Sequence, residues 1–262
     1  MPLRWSSCVL STDGTVVESA NADLVLPTAS VGKVFLLCEA AQQIIDGRLD
    51  PLGPLHRDTG LAVADSGLWQ HLAQGRLPLV DVCVLVAAVS DNWATNVLLD
   101  TIGLDAVADR AEALGCVASR LEDAVRDARG PDDRPTLSRG TTRELAGTAH
   151  RIHRAARGQE DQGLAPDAAR LVERWLRTGV DLTLVADAFA LDPLAHADGA
   201  PHLWNKTGWD EGVRADMGVV ASGATSLAYA ATLSWQPGDC AADVVSAPFR
   251  ELGARLHQSL PC

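Results

Sequence analysis

Lysine is nearly absent from this sequence of 262 residues, which contains only Lys33 and Lys206 against twenty arginines. A lysine amine can lose its proton when it is buried or close to other cations, whereas an arginine guanidinium cannot. Biased codon usage also makes lysine rare, but it does not account for where the two lysines lie. Both lie inside short polar motifs, so we predict that each position requires an amine.

Long hydrophobic runs and a positive charge balance are absent as well. The longest apolar runs, such as residues 82–89, are too short to cross a bilayer, and they indicate buried helices. The formal net charge of −12 argues against binding to nucleic acid or to an anionic membrane. No basic segment followed by an apolar segment opens the sequence, so we expect a cytoplasmic protein.

The cysteines and histidines show no metal-binding pattern. None of the six cysteines has metal-ligand spacing, and we predict mostly free thiols. A disulfide between Cys38 and Cys83, which lie on two apolar segments, is an alternative that a reducing compartment disfavours. His150 and His153 share one face of a predicted helix, but a third ligand is missing. We therefore expect no metal and no organic cofactor.

Predicted strands lie at both ends of the chain, with predicted helices between them. The alternation of apolar and polar residues, with a hairpin turn at Asp13-Gly14, predicts strands over residues 5–10, 15–18, 202–208, 213–221 and 226–235. Apolar periodicity predicts helices from about residue 30 to 46 and over 81–88, 93–99, 105–114, 167–177 and 241–260. Thr141 and Glu144 resemble a capping box for one more helix.

The simplest architecture that follows is a single α/β domain over residues 1–262. Residues 1–26 and 200–262 would form an antiparallel sheet with flanking helices, because strands from both chain ends can pair. Residues 27–199 would form a helical lobe inserted between them, with a polar loop over 123–139.

Three motifs carry the chemistry: Ser30-Val31-Gly32-Lys33, Ser90-Asp91-Asn92 and Lys206-Thr207-Gly208. Ser30 and Lys33 lie three residues apart, on one face of a helix, where a neutral amine can take the proton of a hydroxyl. Burial and a second cation, Lys206, would both lower the pKa of Lys33. A helix N-terminus at Ser30 would also stabilise developing negative charge. Taken alone, Ser90-Asp91-Asn92 is better explained as the N-cap of the following helix, and we predict such a structural role for Asp91 in any case.

In this order, the three motifs resemble the signature of the class A serine β-lactamases and the penicillin-binding proteins. The similarity extends to the segment Leu26–Ser30 before the first motif and to Ser66-Gly67-Leu68 before the second. The resemblance implies a β-lactamase-like fold and acyl transfer through an ester on Ser30.

The resemblance also implies roles for individual residues. Ser30 would be the nucleophile, Lys33 its general base, and Ser90 a proton relay to the leaving group. The backbone N–H groups of Ser30 and Trp209 would form an oxyanion hole. The remaining candidates would bind substrate. Asn92 would bind an amide, and Lys206, Thr207 and Gly208 would bind a carboxylate. Trp69, Trp93 and Trp209 would form an aromatic wall or belong to the ordinary core, and Arg214 would bind a carboxylate or, equally well, be a plain surface residue.

Two departures from the family pattern bear on turnover and assembly. Class A β-lactamases carry a glutamate that activates water, and its expected place falls near Val125. Glu122 or Asp123 could substitute, although surface charge is the simpler interpretation, so we expect slow hydrolysis of the acyl-enzyme. A helix ahead of the first strand is also missing, which makes a homodimer a hypothesis.

The sequence therefore predicts a hydrolase or transacylase acting on a small molecule with an amide, lactam or ester. An amine is a candidate acceptor, and small-molecule biosynthesis is a candidate setting. The alternative is a sensor that is acylated by a lactam and stays acylated. The substrate itself is not indicated.

Overall fold

Strands from the two ends of the chain form one antiparallel sheet. The computed structural model describes residues 3–64, 66–159, 161–236 and 242–261, without the side chains of 242–244. In these residues the strands are β1 (Arg4–Leu10), β2 (Val16–Ala20), β3 (Leu26–Pro27), β4 (Pro54–His56), β5 (Arg76–Pro78), β6 (Arg120–Leu121), β7 (Ser138–Gly140), β8 (His202–Asp210), β9 (Val213–Ser222) and β10 (Thr225–Ser234). The helices are α1 (Lys33–Ile45), α2 (Leu79–Ala88), α3 (Asn92–Ile102), α4 (Leu104–Ala113), α5 (Thr142–Ala156), α6 (Pro166–Leu176) and α7 (Ala242–Ser259).

The main sheet has the strand order β2-β1-β10-β9-β8. Strand β1 pairs with β10, so the start of the chain lies inside the sheet and β8 lies at one edge. The predicted turn between β1 and β2 contains Gly14 with φ +85°, a conformation that favours glycine. The predicted α/β architecture, with a sheet built from both chain ends, is confirmed.

The two faces of the sheet pack against different helices. Trp204 belongs to the larger core, which includes α1, α2 and α5, whereas Leu203 belongs to the core that contains α7. Successive side chains of a strand point to opposite faces. Lys206, two residues after Trp204, therefore projects toward the face that packs against α1, α2 and α5. Thr207 projects toward the face that packs against α7.

Helix α1 begins three residues later than the sequence predicts. Residues 29–32 form a 3₁₀ turn, and the α-helix starts at Lys33. The reason is Ala29, whose φ of +48° lies outside the helical region and bends the chain just before Ser30. The helix is buried along residues 33–41, as its apolar residues on all sides predict.

The predicted capping box of α5 is only half formed. Thr141 Oγ1 accepts the N–H of Glu144 at 3.2 Å, as predicted. The Glu144 carboxylate accepts the backbone N–H groups of residues 117–119 instead of that of Thr141. These three N–H groups have no partner in a helix or strand, so the carboxylate satisfies more donors there and ties the 117–119 turn to α5.

The apolar segments that the sequence predicts to be buried helices are buried. Helix α2 contains Val82, Cys83 and Val86, all with no exposed surface. Within the described ranges, every helix is too short or too polar to span a bilayer.

The cysteines in the described part of the chain are free thiols. Cys8, Cys38, Cys83 and Cys116 are buried and unpaired, so the alternative of a Cys38–Cys83 disulfide is wrong. Burial raises the pKa of the Cys38 thiol to about 12, so it is not reactive at neutral pH. Cys240 and Cys262 lie outside the described residues.

We predict opposite effects on stability when two helical glycines are each replaced by alanine. In Gly253→Ala the new Cβ would lie 2.1 Å from the carbonyl oxygen of Val185, so α7 must move and the protein should lose about 1–3 kcal/mol of stability. Gly147 in α5 has no heavy atom within 4 Å of such a Cβ, so Gly147→Ala should gain about 0.5–1 kcal/mol. Urea unfolding would measure both, and equal effects of the two substitutions would contradict this packing.

Candidate active site

A cleft of about 790 Å³ lies between the helical part and the edge strand β8. The three motifs meet there although they are far apart in sequence. Of the residues predicted to form the site, those that line the cleft are Ser30, Ser90, Asn92, Lys206, Thr207, Trp209 and Arg214. Lys33 is fully buried beneath its surface.

Ser30 lies in the 3₁₀ turn before α1, and Ser138 of β7 holds this turn in place. Ser138 Oγ donates to the carbonyl of Ala29 at 2.5 Å and accepts the N–H of Gly32 at 3.3 Å. It also shares a hydrogen bond with Thr28 Oγ1 at 2.7 Å. In the described chain the Ser30 hydroxyl forms no hydrogen bond, which leaves it free toward the cleft.

Lys33 is held by the second motif. Its Nζ donates to the carbonyl of Ser90 and to Asn92 Oδ1, both at 2.8 Å, and it lies 3.3 Å from Ser90 Oγ. A neutral amine has two N–H groups, so these two acceptors satisfy both and leave the nitrogen lone pair available. The expected hydrogen bond between Ser30 and Lys33 is absent from the described structure, because the amine turns toward Ser90 and Asn92.

The electrostatic environment favours a neutral Lys33. Burial, and then the charge of Lys206, hold the pKa of Lys33 well below its usual value, against a smaller opposing effect of Asp91. Burial lowers the pKa of Lys206 to about 8, while Asp181 and Asp216 oppose this shift. Asp181 is therefore the main support of the Lys206 ammonium, since burial raises the pKa of Asp216 well above its usual value. Lys33, with the larger downward shift, is the amine that gives up its proton first.

Asp91 connects the second motif to its neighbours. Its Oδ1 accepts the N–H of Ala94 as the N-cap of α3, and its Oδ2 accepts the N–H groups of Leu68 and Trp69, all at 2.8 Å. The predicted structural role of Asp91 is confirmed. Gly67 lies against this carboxylate, because a Cβ there would be 2.4 Å from its carbon.

Strand β8 passes directly beside Ser30. A Cβ added to Gly208 would lie 2.3 Å from the carbonyl of Thr28 and 3.0 Å from the backbone nitrogen of Ser30. Only glycine permits this approach. The backbone of Trp209, the next residue, is thereby brought to the same region of the cleft as the N–H of Ser30.

The side chains of Trp209 and Arg214 lie together at one end of the cleft. The Arg214 guanidinium stacks on the Trp209 ring at 4.0 Å and lies 5.3 Å from the Trp235 ring. It also donates to the carbonyls of Asp210 and Val213, each at 2.7 Å. Arg214 therefore lines the cleft with Nη1 committed to backbone carbonyls and its ring-facing side to Trp209.

The other two tryptophans lie away from the cleft, so the predicted aromatic wall does not include them. Trp69 has no exposed surface and donates to the carbonyl of Gln74 at 3.0 Å. Trp93 donates to the carbonyl of Asp58 at 2.8 Å and is covered by Arg57. Core packing, the alternative interpretation, describes both better, because Trp69 belongs to the larger core, Trp93 packs against it, and neither lines the cleft.

The loop over residues 122–137 brings Val125 to the cleft. The side chain of Asn96 accepts the N–H of Val125 at 2.8 Å and donates to its carbonyl at 3.0 Å, which fixes this residue in place. Sequence reasoning missed a carboxylate of the same loop: Asp127 lines the cleft and accepts the N–H of Ala64 at 2.7 Å.

Glu122 and Asp123 do not reach the cleft, so neither replaces the missing glutamate. Glu122 accepts hydrogen bonds from Arg120 and Arg139, and Asp123 accepts them from Arg126 and Arg129. Although burial alone would raise the pKa of both carboxyls, these arginines hold it below the usual range. The two side chains are ion-pair partners that shape the loop.

His153 has neighbours that the sequence did not reveal. It lies within 4.8 Å of Glu173 and His202, a set of ligand types that can hold a metal. The Arg157 guanidinium lies 2.8 Å from His153 Nδ1 and 3.2 Å from Glu173 Oε1, and Trp204 Nε1 donates to the same oxygen at 3.0 Å. These donors already balance the carboxylate charge, so the arrangement is a buried ion-pair cluster.

The chain is similar to known proteins over nearly its whole length. The model of the Beta-lactamase enzyme family matches residues 4–260. Among solved structures, the β-lactamase from Sphaerobacter thermophilus DSM 20745 has 21% identity and a TM-score of 0.79, over 97% of this chain and 90% of that chain.

Two further solved structures are similar in fold to this chain. PBP-A has 20% identity and a TM-score of 0.79, over 98% of this chain and 89% of that chain. A variant of the last common ancestor of Gram-negative bacteria class A β-lactamase has 20% identity and a TM-score of 0.79, over 98% and 92%. Among curated proteins, no sequence matches this chain.

Asp91→Ala should destabilise the protein by about 3 kcal/mol or more, because it removes an N-cap and leaves two further N–H groups without an acceptor. The matched control is Asp58→Ala, which removes an exposed cap that accepts one N–H, that of Gly60, and should cost less than about 1 kcal/mol. Urea unfolding midpoints would compare the two. Similar losses for both variants would contradict the role of Asp91.

Proposed function

Because the chain belongs to the Beta-lactamase enzyme family, we propose that it is a serine enzyme that transfers acyl groups through an ester on Ser30. The observation that carries this proposal is the position of Lys33, a fully buried amine beside Ser90 and close to the charge of Lys206. Such an amine is neutral at a pH where an ordinary lysine is charged, and it can therefore accept a proton.

Acylation would proceed in two steps. Lys33 takes the proton of Ser30 Oγ as the oxygen attacks the carbonyl carbon of an amide, lactam or ester. The negative charge on the carbonyl oxygen is stabilised by the N–H groups of Ser30 and Trp209, each worth about 2.7–4 kcal/mol in such sites. The bond to the leaving nitrogen or oxygen then breaks, and Ser90 passes the proton from Lys33 to that atom.

The fate of the acyl-enzyme depends on what lies near Val125. A valine cannot take a proton from water, and Glu122 and Asp123 are engaged by arginines. Asp127, the carboxylate of this loop that does line the cleft, is held by the backbone N–H of Ala64. We therefore propose slow hydrolysis and faster transfer to an amine, which is a better nucleophile than water. The amine attacks the ester carbonyl and loses its proton to Lys33. The bond to Ser30 Oγ then breaks, and Lys33 returns the proton to that oxygen, which restores the free hydroxyl and the neutral amine.

A second candidate function is a sensor that is acylated and does not turn over. The same observation at Val125 supports it, because a site without a water-activating base retains its acyl group. The two functions differ in whether an added amine releases the acyl group from Ser30.

Lys33→Arg should slow acylation of Ser30 by about a hundredfold or more, because a guanidinium cannot accept the proton. Lys206→Arg keeps the second charge, and we expect a smaller effect, mainly on substrate binding. Intact mass spectrometry during incubation with benzylpenicillin, a cephalosporin and an activated ester would measure the adduct.

Ser30→Ala serves as the control that locates the adduct and should show none. Acylation of Lys33→Arg at the wild-type rate would contradict the role proposed for Lys33. An adduct that persists in the presence of an amine would favour the sensor.

Val125→Glu should accelerate hydrolysis of the acyl-enzyme by about a hundredfold or more, the range of general-base catalysis. Asn96 fixes the backbone of residue 125, so a carboxylate introduced there should reach the cleft. Val125→Gln is the control of equal size that cannot accept a proton. The decay of the adduct mass would be followed, and equal decay in both variants would refute this account of the missing base.

A further inference from the structure

The end of the cleft beside Lys206 contains a carboxylate of the protein itself. Asp181 lines the cleft, and its charge is close enough to raise the pKa of Lys206 against the effect of burial. Sequence reasoning assigned Lys206 and Thr207 to a carboxylate of the substrate. In this chain, the negative charge of Asp181 already balances part of the positive charge of Lys206.

Hydrogen bonds fix Asp181 in this position. Its Oδ2 accepts Trp209 Nε1 at 2.6 Å, and its Oδ1 accepts the hydroxyl of Thr183 at 2.6 Å and the N–H of that residue at 3.2 Å. The backbone carbonyl of Asp181 accepts Asn205 Nδ2 at 3.1 Å. A carboxylate has about four acceptor positions, so about one remains for a substrate.

The surrounding charges do not favour a second anion. Asp210 and Glu211 also line this end of the cleft, together with Asp181, whereas its cations are Lys206 and Arg214. Two carbonyls engage Nη1 of Arg214, and its guanidinium stacks on the Trp209 ring, so part of this cation is committed within the protein. An incoming carboxylate would therefore meet three acidic side chains and two cations. Asp210 and Glu211 are exposed and screened by solvent, so the repulsion would come mainly from the half-buried Asp181.

Building on the function proposed above, we infer that the substrate carries no carboxylate at this end of the cleft and instead presents an uncharged or cationic hydrogen-bond donor to Asp181. An amide or an ammonium group fits this description. The open acceptor position of Asp181 would bind it, and Thr207, a cleft residue of β8, would lie beside it.

The test compares acyl donors that differ only in this charge. The probes are benzylpenicillin against its methyl ester, and a 3-carboxyphenyl against a 3-carbamoylphenyl ester of phenylacetic acid. Each rate of Ser30 acylation, from intact mass spectrometry, is divided by the rate of alkaline hydrolysis of the same probe. In the unmodified protein, the uncharged member of each pair should acylate Ser30 at least about tenfold faster, equivalent to about 1.4 kcal/mol.

Asp181→Asn should raise acylation by the carboxylate-bearing probes and bring the two members of each pair to within a few-fold. Glu211→Gln is the matched control, because it removes an equal charge from the same end but from an exposed, solvent-screened residue, and it should change the ratio much less than Asp181→Asn does. Thermal melting would check that both variants fold.

The comparison on the unmodified protein decides the inference even if a variant does not fold. Faster acylation by the carboxylate-bearing probes would overturn it and leave the proposed function intact. A ratio that Asp181→Asn leaves unchanged would overturn the assignment to Asp181. If none of the four probes acylates Ser30, the proposed function itself fails.

Discussion

The burial of two amines in one site is the constraint on which the rest of the structure depends. Removing an ammonium group from water costs several kcal/mol, and a second ammonium nearby adds repulsion. The protein meets this constraint by treating the two amines differently, with only a smaller effect of Asp91 on Lys33. Asp181 and Asp216 favour the charged form of Lys206, while Lys33 receives neutral acceptors from Ser90 and Asn92. An arginine at position 33 would stay charged, which explains why this arginine-rich chain retains a lysine there.

Two residues near the amines have backbone conformations that are unfavourable unless the surrounding structure holds them. Ala29 and Ser90 have φ of +48° and +55°, each costing about 1–3 kcal/mol in a residue other than glycine. Ser138 stabilises the first bend and Asp91 the turn that follows the second. Gly208 lets β8 reach the first bend without a side chain between them. The reactive groups are thus positioned by strained turns fixed to the sheet and to α3.

Residue patterns predicted the sheet, the main helices and most of the cleft residues, because strand alternation and the three motifs are local signals. They did not predict Ser138, whose partners lie more than a hundred residues earlier in the chain. They also missed Asp181, which follows α6 in a segment without a regular pattern. Residue type alone leaves Trp69 and Trp93 open between an aromatic wall and the core, and only the packing of α3 against the preceding loop favours the core. Long-range pairing of this kind leaves no trace in the spacing of residues.

The direct test of the central claim is the protonation of the two lysines, measured by NMR of protein labelled with ¹³C at the lysine side chains. Two lysines give two signals, and Lys206→Arg assigns them. We predict that Lys206 titrates near pH 8 and that Lys33 loses its proton at lower pH. A Lys33 signal that titrates above that of Lys206, near the ordinary lysine value of 10.5, would contradict the account.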